Sequence, residues 1–397
     1  MMEIVNLFRE KGTLDELGIG TIRDTLAEHF FPGINTIQTR ARYFLFVPWI
    51  YEALEAQRTS TGQISRKARE QQAQLVEALK KGGVGASSGL IGIDAGINIQ
   101  RTPSAIYWGG LGRWGIRTLN GSMDDYHGSL DAHYREERQA RIADGGELVN
   151  EARRNWHPSL PPAPADLMES TTFALSAAEA DFLLERIRQN TAGSLLAAVT
   201  GYSPRRIKAA GYAWDLPGVA DLDPVLSADL RHARNFSKLL EGAHLLYHLM
   251  LSEAVAERTR PDAPKWVEQY AKQLAQWADE VQGQLEELRV WDRAEFRFRM
   301  SAINPRIHSR VWRFVLRWMD EAVADPRAIR TNELARDLVR GREHETKTSL
   351  ARLANPKALE RYDGGPGGNF RLSFRWTGVK QIVGDILEGA AMPVEAP

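Results

Sequence analysis

Four arginines near the carboxyl-terminal end of the chain are the residues best suited to binding a charged partner. They recur at spacings of four, three and four residues: Arg306, Arg310, Arg313 and Arg317. On an α-helix, where each residue turns by about 100°, these side chains lie on one narrow face. A guanidinium group is planar, permanently charged and able to bind phosphate or carboxylate through two hydrogen bonds. The spacing therefore predicts a rigid arginine stripe on a helix whose other side is core.

The region around the arginine stripe carries an excess of positive charge. The whole chain is neutral, with 51 basic and 51 acidic residues, but residues 301–380 contain 16 basic and only 9 acidic ones. Within this region the segment NFRLSFRW alternates apolar and polar residues, which predicts a short strand with its arginines outward. We expect those two arginines, Arg371 and Arg375, to extend the stripe toward an anionic partner.

Nucleic acid is the partner that the arginine stripe predicts, because six to ten arginine–phosphate contacts give strong, salt-dependent binding. Aromatic residues among the arginines would stack on single-stranded bases. They are Trp312, Phe314, Trp318, Tyr362, Phe370, Phe374 and Trp376. Most of these aromatic residues also have the spacing of core residues. One alternative is therefore that the arginines form only a solvated helix face. Another is a scaffold subunit that docks on an acidic protein partner.

Two groups of carboxylate and histidine side chains have the spacing of helical metal sites. Each group occupies positions i, i+3 and i+7 of a predicted helix. The groups are Glu241, His244 and His248, and Asp124, His127 and Asp131. A carboxylate–x–x–histidine pattern on two facing helices is found in di-metal proteins that activate water. A metal-dependent helical enzyme is therefore the second interpretation. Because a histidine on an apolar helix is more often a hydrogen-bonded core residue, we favour no metal and no cofactor.

Other catalytic patterns are absent or incomplete, which favours a non-enzymatic protein. The chain has no cysteine, so thiol catalysis, disulfides and cysteine-ligated metals are excluded. The glycine-rich segment 364–368 lacks the Lys-Ser/Thr pair of a P-loop and is expected to be a flexible connector. Asp337, Glu345 and Lys347 resemble a carboxylate–ExK nuclease pattern. That chemistry needs a buried strand, whereas REHETK has the composition of an exposed helix.

The elements that must position these residues are predicted to be helices. The 43% hydrophobic and 26% charged composition is typical of globular proteins, and helical periodicity recurs along most of the chain. The longest apolar run, Tyr43–Tyr51, is too short to cross a bilayer and is expected to be core. The amino-terminal residues show no signal-peptide pattern. We therefore expect a mainly α, multi-helix, cytoplasmic protein that does not bind a membrane.

One part of the amino-terminal half has the outline of a helix-turn-helix unit. Residues 72–117 are expected to form a helix, a short helix, a turn and a second helix, with Ser104–Trp114 in the recognition position. Three glycines in that last helix are poor residues for the interior of a recognition helix. They are Gly109, Gly110 and Gly112. Close helix packing is the alternative use of these glycines.

A proline-rich segment at residues 156–164, WHPSLPPAP, is the clearest signal of a domain boundary in the sequence. We interpret it as a connector after an amino-terminal helical domain, residues 1–155. A central helical region, residues 165–300, follows it. The basic carboxyl-terminal region, residues 301–397, is expected to pack on the central one.

Several stretches of the chain resemble an uncharacterised bacterial family known only as a domain of unknown function. The similarity extends over nearly the whole length. The stretches are PGINTIQTRARYFLFVPWIY, IQRTPSAIYWGGLGRWGIR, NWHPSLPPAP, NFSKLLEGAHLLYHLMLSE and LARLANPKALERYDGG. This resemblance implies no catalytic residues. It implies an accessory or adaptor of an antiviral phage-defence or DNA-processing system, with a helicase or nuclease as a partner protein.

Overall fold

The computed structural model describes residues 15–92, 101–143, 154–258, 260–367 and 370–392. Within these ranges the protein is mainly α-helical, as predicted. The helices are α1 (Gly20–Phe30), α2 (Tyr43–Ala56), α3 (Thr61–Lys81), α4 (Pro103–Arg113), α5 (Met123–Ala143), α6 (Ala177–Asn190), α7 (Leu195–Val199), α8 (Pro204–Ala209), α9 (Pro224–Ala256), α10 (Ala263–Gln282), α11 (Leu285–Val290), α12 (Arg293–Ile303), α13 (Ser309–Ala324), α14 (Glu333–Lys347), α15 (Pro356–Leu359) and α16 (Trp376–Ala390). None of these described helices is long and apolar enough to cross a membrane.

The described residues divide into two compact units. The first unit comprises Phe30–Gly211 and the described part of Arg375–Pro397, and the second comprises Tyr212–Phe374 and the described part of Val5–His29. This division does not coincide with the predicted boundaries at residues 155, 165 and 300. The proline-rich segment belongs to the first unit, where the Trp156 ring is 3% exposed and its Nε1 donates to Glu55 at 3.0 Å.

Helix α2 forms the core of the first unit. Its apolar sequence, YFLFVPWIY, is buried throughout, so the predicted core role of Tyr43–Tyr51 is confirmed. Helices α3 and α4 pack on α2, and α5 packs on α3. Helix α16 packs on α6 and α8, and its Asp385 pairs with Arg40, just before α2, at 2.8 Å. Buried apolar area is the main stabilising term in such an assembly.

The helix-turn-helix interpretation is not confirmed. Helix α4 buries Ile106, Tyr107, Trp108 and Leu111, so most of its surface is core and little is left to read a DNA groove. A methyl group on Gly110 would lie 2.5 Å from the carbonyl oxygen of Gly33, which shows that this glycine permits close packing. The expected short second helix is absent at residues 89–92, and its remainder, 93–96, lies outside the described residues.

The second unit is built around the 33-residue helix α9. Helix α10 runs antiparallel to it: Trp277 Nε1 donates to the Lys238 carbonyl at 2.7 Å, and the Tyr270 ring stacks on His248. Helices α13 and α14 also pack on α9. The main anchor of α13 is Trp318, which is fully buried and donates from Nε1 to the Leu239 carbonyl at 2.8 Å.

The short strand predicted for NFRLSFRW is not confirmed at its described residues, 370–376. These residues do not form a strand, because no other described segment supplies ladder hydrogen bonds to them, and the Leu372 carbonyl instead accepts from the Ser237 hydroxyl at 3.0 Å. Phe374 and Arg375 then take φ values of 51° and 70°, which turn the backbone into α16. The apolar side of the alternation is nevertheless buried at Phe370, Phe374 and Trp376.

Candidate functional site

Helix α13 carries the predicted arginine stripe, with one correction at its start. The helix begins at Ser309, so Arg306 lies in the preceding turn. Two local hydrogen bonds explain this boundary: the Asn304 side chain accepts from the Arg306 N–H, and His308 Nδ1 accepts from the Arg310 N–H, each at 3.1 Å. Such side-chain bonds favour turns and helix caps over a continuous helix.

The two faces of α13 differ sharply in exposure. Arg310, Arg313 and Arg317 are exposed, whereas the opposite face is buried against the unit. The buried residues are Val311, Trp312, Phe314, Val315, Trp318, Met319, Ala322 and Val323. Because this face and the Trp318 hydrogen bond fix the helix, the three guanidinium groups stand on a rigid support.

A groove of about 520 Å³ runs between α13 and α14. We call it the α13–α14 groove. Its apolar lining includes Phe314, Leu334 and Leu338, and Leu334 is 66% exposed. Its charged lining comprises Arg310, Arg313, Arg317, Asp320, Glu321, Asp337, Arg342 and Glu345. The stripe therefore borders a groove of mixed charge rather than a uniformly basic one.

The acidic residues that α14 contributes to the groove are paired with arginines. Asp337 forms an ion pair with Arg340 on the same helix. Glu345 lies 2.6 Å from the Arg342 guanidinium and 3.6 Å from that of Arg310. These pairs neutralise most of the negative charge on the α14 side.

The acidic residues of α13 are only partly neutralised. Asp320 is paired with Arg293 of α12, while Glu321 accepts a hydrogen bond from the neutral Asn332 side chain at 2.9 Å and forms no ion pair with a described residue. Among the residues that the structure describes, no ion pair involves Arg313 or Arg317. The charge left without a counter-ion on this face is therefore predominantly positive.

Arg371 and Arg375 make contacts inside different units. In the second unit, the Arg371 guanidinium lies 5.1 Å from the centre of the Tyr212 ring and 3.8 Å from Glu280. In the first unit, Arg375 donates a hydrogen bond to the Ile34 carbonyl. The extension of the stripe to these two arginines stays a prediction.

The aromatic residues expected to stack on bases are core residues. Trp312, Phe314, Trp318, Tyr362, Phe370, Phe374 and Trp376 are each at most 9% exposed. Their rings are therefore not available to a ligand, and the stacking role predicted for them is wrong. An exposed aromatic that the sequence reasoning missed is Phe298 of α12, which is 75% exposed.

The metal-site alternative gains no support from the group on α9. His248 Nε2 lies 3.2 Å from Glu16, its Nδ1 lies 3.1 Å from the Tyr362 hydroxyl, and His244 Nδ1 lies 3.0 Å from the Leu240 carbonyl. Both histidines thus have core hydrogen-bond partners. The third residue of this group is Glu241, and burial raises its pKa to about 7.

The second predicted group, on α5, belongs to the first unit. There the Tyr51 hydroxyl and His127 Nε2 are 3.0 Å apart, and Asp131 accepts from the Thr61 N–H at 3.1 Å at the start of α3. No set of three His, Cys, Asp or Glu side chains within the described ranges is placed to hold a metal ion.

A buried polar cluster on α9 was not foreseen from the sequence. The Glu16 carboxylate contacts His248 Nε2 at 3.2 Å, Arg352 Nη1 at 2.7 Å and Lys347 Nζ at 3.7 Å. Burial raises the pKa of Glu16, but the hydrogen bond from His248 and the charges of all three partners outweigh burial and lower the pKa to about 2. Glu16 lies more than 200 positions before each of these partners in the sequence, so local spacing gives no signal of the contact.

Helix α14 and the glycine-rich segment complete this cluster. The Tyr247 hydroxyl donates to Glu343 at 2.5 Å and accepts from Lys347 Nζ at 3.1 Å. The Tyr270 hydroxyl donates to the Gly364 carbonyl at 2.7 Å and accepts from the Gly367 N–H at 3.2 Å. The expected connector at 364–368 is thus held on α10 over its described residues, 364–367. Lys347 belongs to a helix rather than a strand, but REHETK is not the exposed helix that was expected, because Arg342 and Glu343 are buried.

The family of unknown function DUF6361 matches residues 1–390. The chain belongs to the DUF6361 family. This match covers both units of the structure, the arginine stripe and the α13–α14 groove. No curated protein and no solved structure matches the chain.

Proposed function

We propose that this protein is a non-enzymatic nucleic-acid-binding component that contacts phosphates through the arginine stripe of α13. The observation that carries the proposal is the exposure of Arg313 and Arg317, one turn apart, with no ion pair among the described residues. Two exposed guanidinium groups without counter-ions on a rigid helix are suited to bidentate phosphate binding.

The length of the stripe limits the number of phosphates that it contacts. Arg310 and Arg317 are seven residues apart, which corresponds to about 10 Å along a helix. With one phosphate to each guanidinium group, the three helical arginines contact about three phosphates, and Arg306 in the preceding turn adds a fourth contact.

So short a contact gives modest affinity that depends strongly on salt. Each phosphate contact releases condensed counter-ions, and this release is the main favourable term of such binding. We expect dissociation constants of roughly 10⁻⁴ to 10⁻⁶ M at physiological salt, which is the range of sequence-independent binding.

An acidic protein is the second candidate partner, and the α13–α14 groove is the observation that favours it. The exposed side chain of Leu334 and the half-buried side chain of Leu338 lie beside the arginines. Apolar residues flanked by arginine are typical of protein interfaces. With either partner the chain acts as an adaptor. Its placement in a bacterial defence or DNA-processing system, beside a helicase or nuclease, rests on the family resemblance.

A fluorescence anisotropy titration of labelled oligonucleotides with the full chain at about 50 mM salt tests the proposal. The double variant Arg313→Ala/Arg317→Ala should lose most of the binding. A matched control is Arg205→Ala/Arg206→Ala on α8, which removes two exposed arginines and the same charge elsewhere. Equal loss in both variants, or no binding by the wild-type chain, would overturn the proposal.

A further inference from the structure

Helix α12 lies beside the arginine stripe and presents an unusual exposed aromatic residue. Its inner face is fixed by Phe296, whose ring is 5.5 Å from that of Trp312 on α13 and 5.3 Å from that of Phe236 on α9. Asp292 caps the helix by accepting from the Glu295 N–H at 2.8 Å. The outer residues of α12, like those of α13, therefore stand on a rigid support.

Phe298 projects from the outer face of α12. Its four neighbours on that surface, at i−4, i−3, i+3 and i+4, are Ala294, Glu295, Ser301 and Ala302. Three of these side chains end at the β or γ atom, so they leave most of the Phe298 ring uncovered, in agreement with its 75% exposure. A flat face of this aromatic ring is thus available to a ligand.

Arg297 lies between this ring and the stripe. The Arg293–Asp320 ion pair and the Phe296–Trp312 contact place α12 antiparallel to α13. Arg297 follows Arg293 by one turn and so lies on the side of α12 that faces α13. Arg297 is exposed, and it forms no ion pair with any described residue.

We propose that the nucleic acid is single-stranded and that Phe298 is the residue on which a base stacks. The inference rests on the proposed function, because the arginine stripe and Arg297 are needed to hold the phosphate backbone. Single-strand binding sites combine a basic track with exposed aromatic rings, and stacking accepts any base because every base has a π-face. In a duplex the bases are already stacked on one another, so the Phe298 ring has no base face to cover.

Three ligands of equal length separate stacking from phosphate binding: a single-stranded oligonucleotide, the corresponding blunt duplex, and an abasic strand that keeps the phosphates. Anisotropy titrations with the full chain should show preference for the base-bearing single strand. Phe298→Ala should weaken binding to that strand by about 5- to 150-fold, the range for loss of one stacked base. It should leave binding to the duplex and to the abasic strand unchanged, and Phe298→Trp should keep the wild-type affinity.

The outcomes distinguish the stacking proposal from the phosphate-binding proposal. Arg313→Ala/Arg317→Ala should weaken binding to all three ligands. If it does so while Phe298→Ala binds the base-bearing strand as tightly as wild type, the stacking role is wrong and the phosphate contacts stand. Equal weakening of all three ligands by Phe298→Ala, or a wild-type preference for the duplex, also overturns the stacking role. If Arg313→Ala/Arg317→Ala has no effect on any ligand, the proposed function itself fails.

Discussion

Replacing Glu16 by glutamine removes the anion on which three basic side chains of the second unit converge. The carboxylate is 9% exposed and lies 2.7 Å from Arg352 Nη1 and 3.2 Å from His248 Nε2. Glutamine keeps the shape of the side chain and one carbonyl acceptor. The experiment therefore isolates the loss of negative charge from a loss of packing.

The magnitude follows from the pKa of Glu16. The three basic partners lower it from 4.5 to about 2. Lowering a pKa by one corresponds to about 1.36 kcal/mol of preference for the charged form in the folded state. The carboxylate thus contributes about 3 kcal/mol to the free energy of unfolding at neutral pH. The cost of breaking a buried ion pair, roughly 3–5 kcal/mol, has the same order.

The pH dependence has a definite sign. Because the pKa of Glu16 is lower in the folded state, its contribution is fully present above pH 4.5 and is lost as pH falls toward 2. At pH 3 roughly 1.4 kcal/mol should remain, which is less than half of the neutral value. The difference between wild type and Glu16→Gln must therefore shrink on acidification.

Urea unfolding followed by tryptophan fluorescence at pH 7 and pH 3 measures this difference. A matched control is Glu257→Gln at the end of α9, where the carboxylate is exposed; it should change the unfolding free energy by less than about 0.5 kcal/mol. A loss below about 1 kcal/mol at pH 7, or an equal loss at both pH values, would refute the reasoning about the buried cluster.

Two further predictions concern neighbouring residues of α9. Burial raises the pKa of Glu241 to about 7, so its ionisation opposes folding as pH rises from 4.5 to 7. Glu241→Gln should therefore raise the melting temperature at pH 8 more than at pH 5, and equal shifts would contradict this. A methyl group on Gly242 would overlap the Trp277 indole ring, so Gly242→Ala should cost about 1–3 kcal/mol in urea unfolding. Gly384→Ala in α16, with no described neighbour within 4 Å of the added methyl, should instead stabilise the chain by up to about 1 kcal/mol.

Local periodicity was sufficient to place the two faces of α13. A helix with apolar and arginine faces was expected, and Trp318 and Arg313 lie on the faces that the spacing assigned to them. The start of the helix was missed because the side chains of Asn304 and His308 form local bonds with the backbone, which compete with the helix.

Contacts between distant residues could not be predicted from spacing. Period-two alternation at 370–376 predicted a strand, but a strand also needs a neighbouring strand, and alternation does not show whether one exists. Likewise, nothing near His248 in the sequence points to Glu16 as its partner. The exposure of Phe298 did have a local signal, because Phe296 and Phe298 are two residues apart and cannot both face the core of one helix.

The salt dependence of nucleic-acid binding by the full chain tests the role of the arginine stripe most directly. Four phosphate contacts to a single strand should give a slope of about 3 in a plot of log Kd against log salt concentration. Arg313→Ala/Arg317→Ala should lower that slope by about 1.4, since each lost contact removes about 0.7. The Arg205→Ala/Arg206→Ala control should leave the slope unchanged. A slope near zero for wild type, or the same slope in the stripe variant, would contradict phosphate binding by α13.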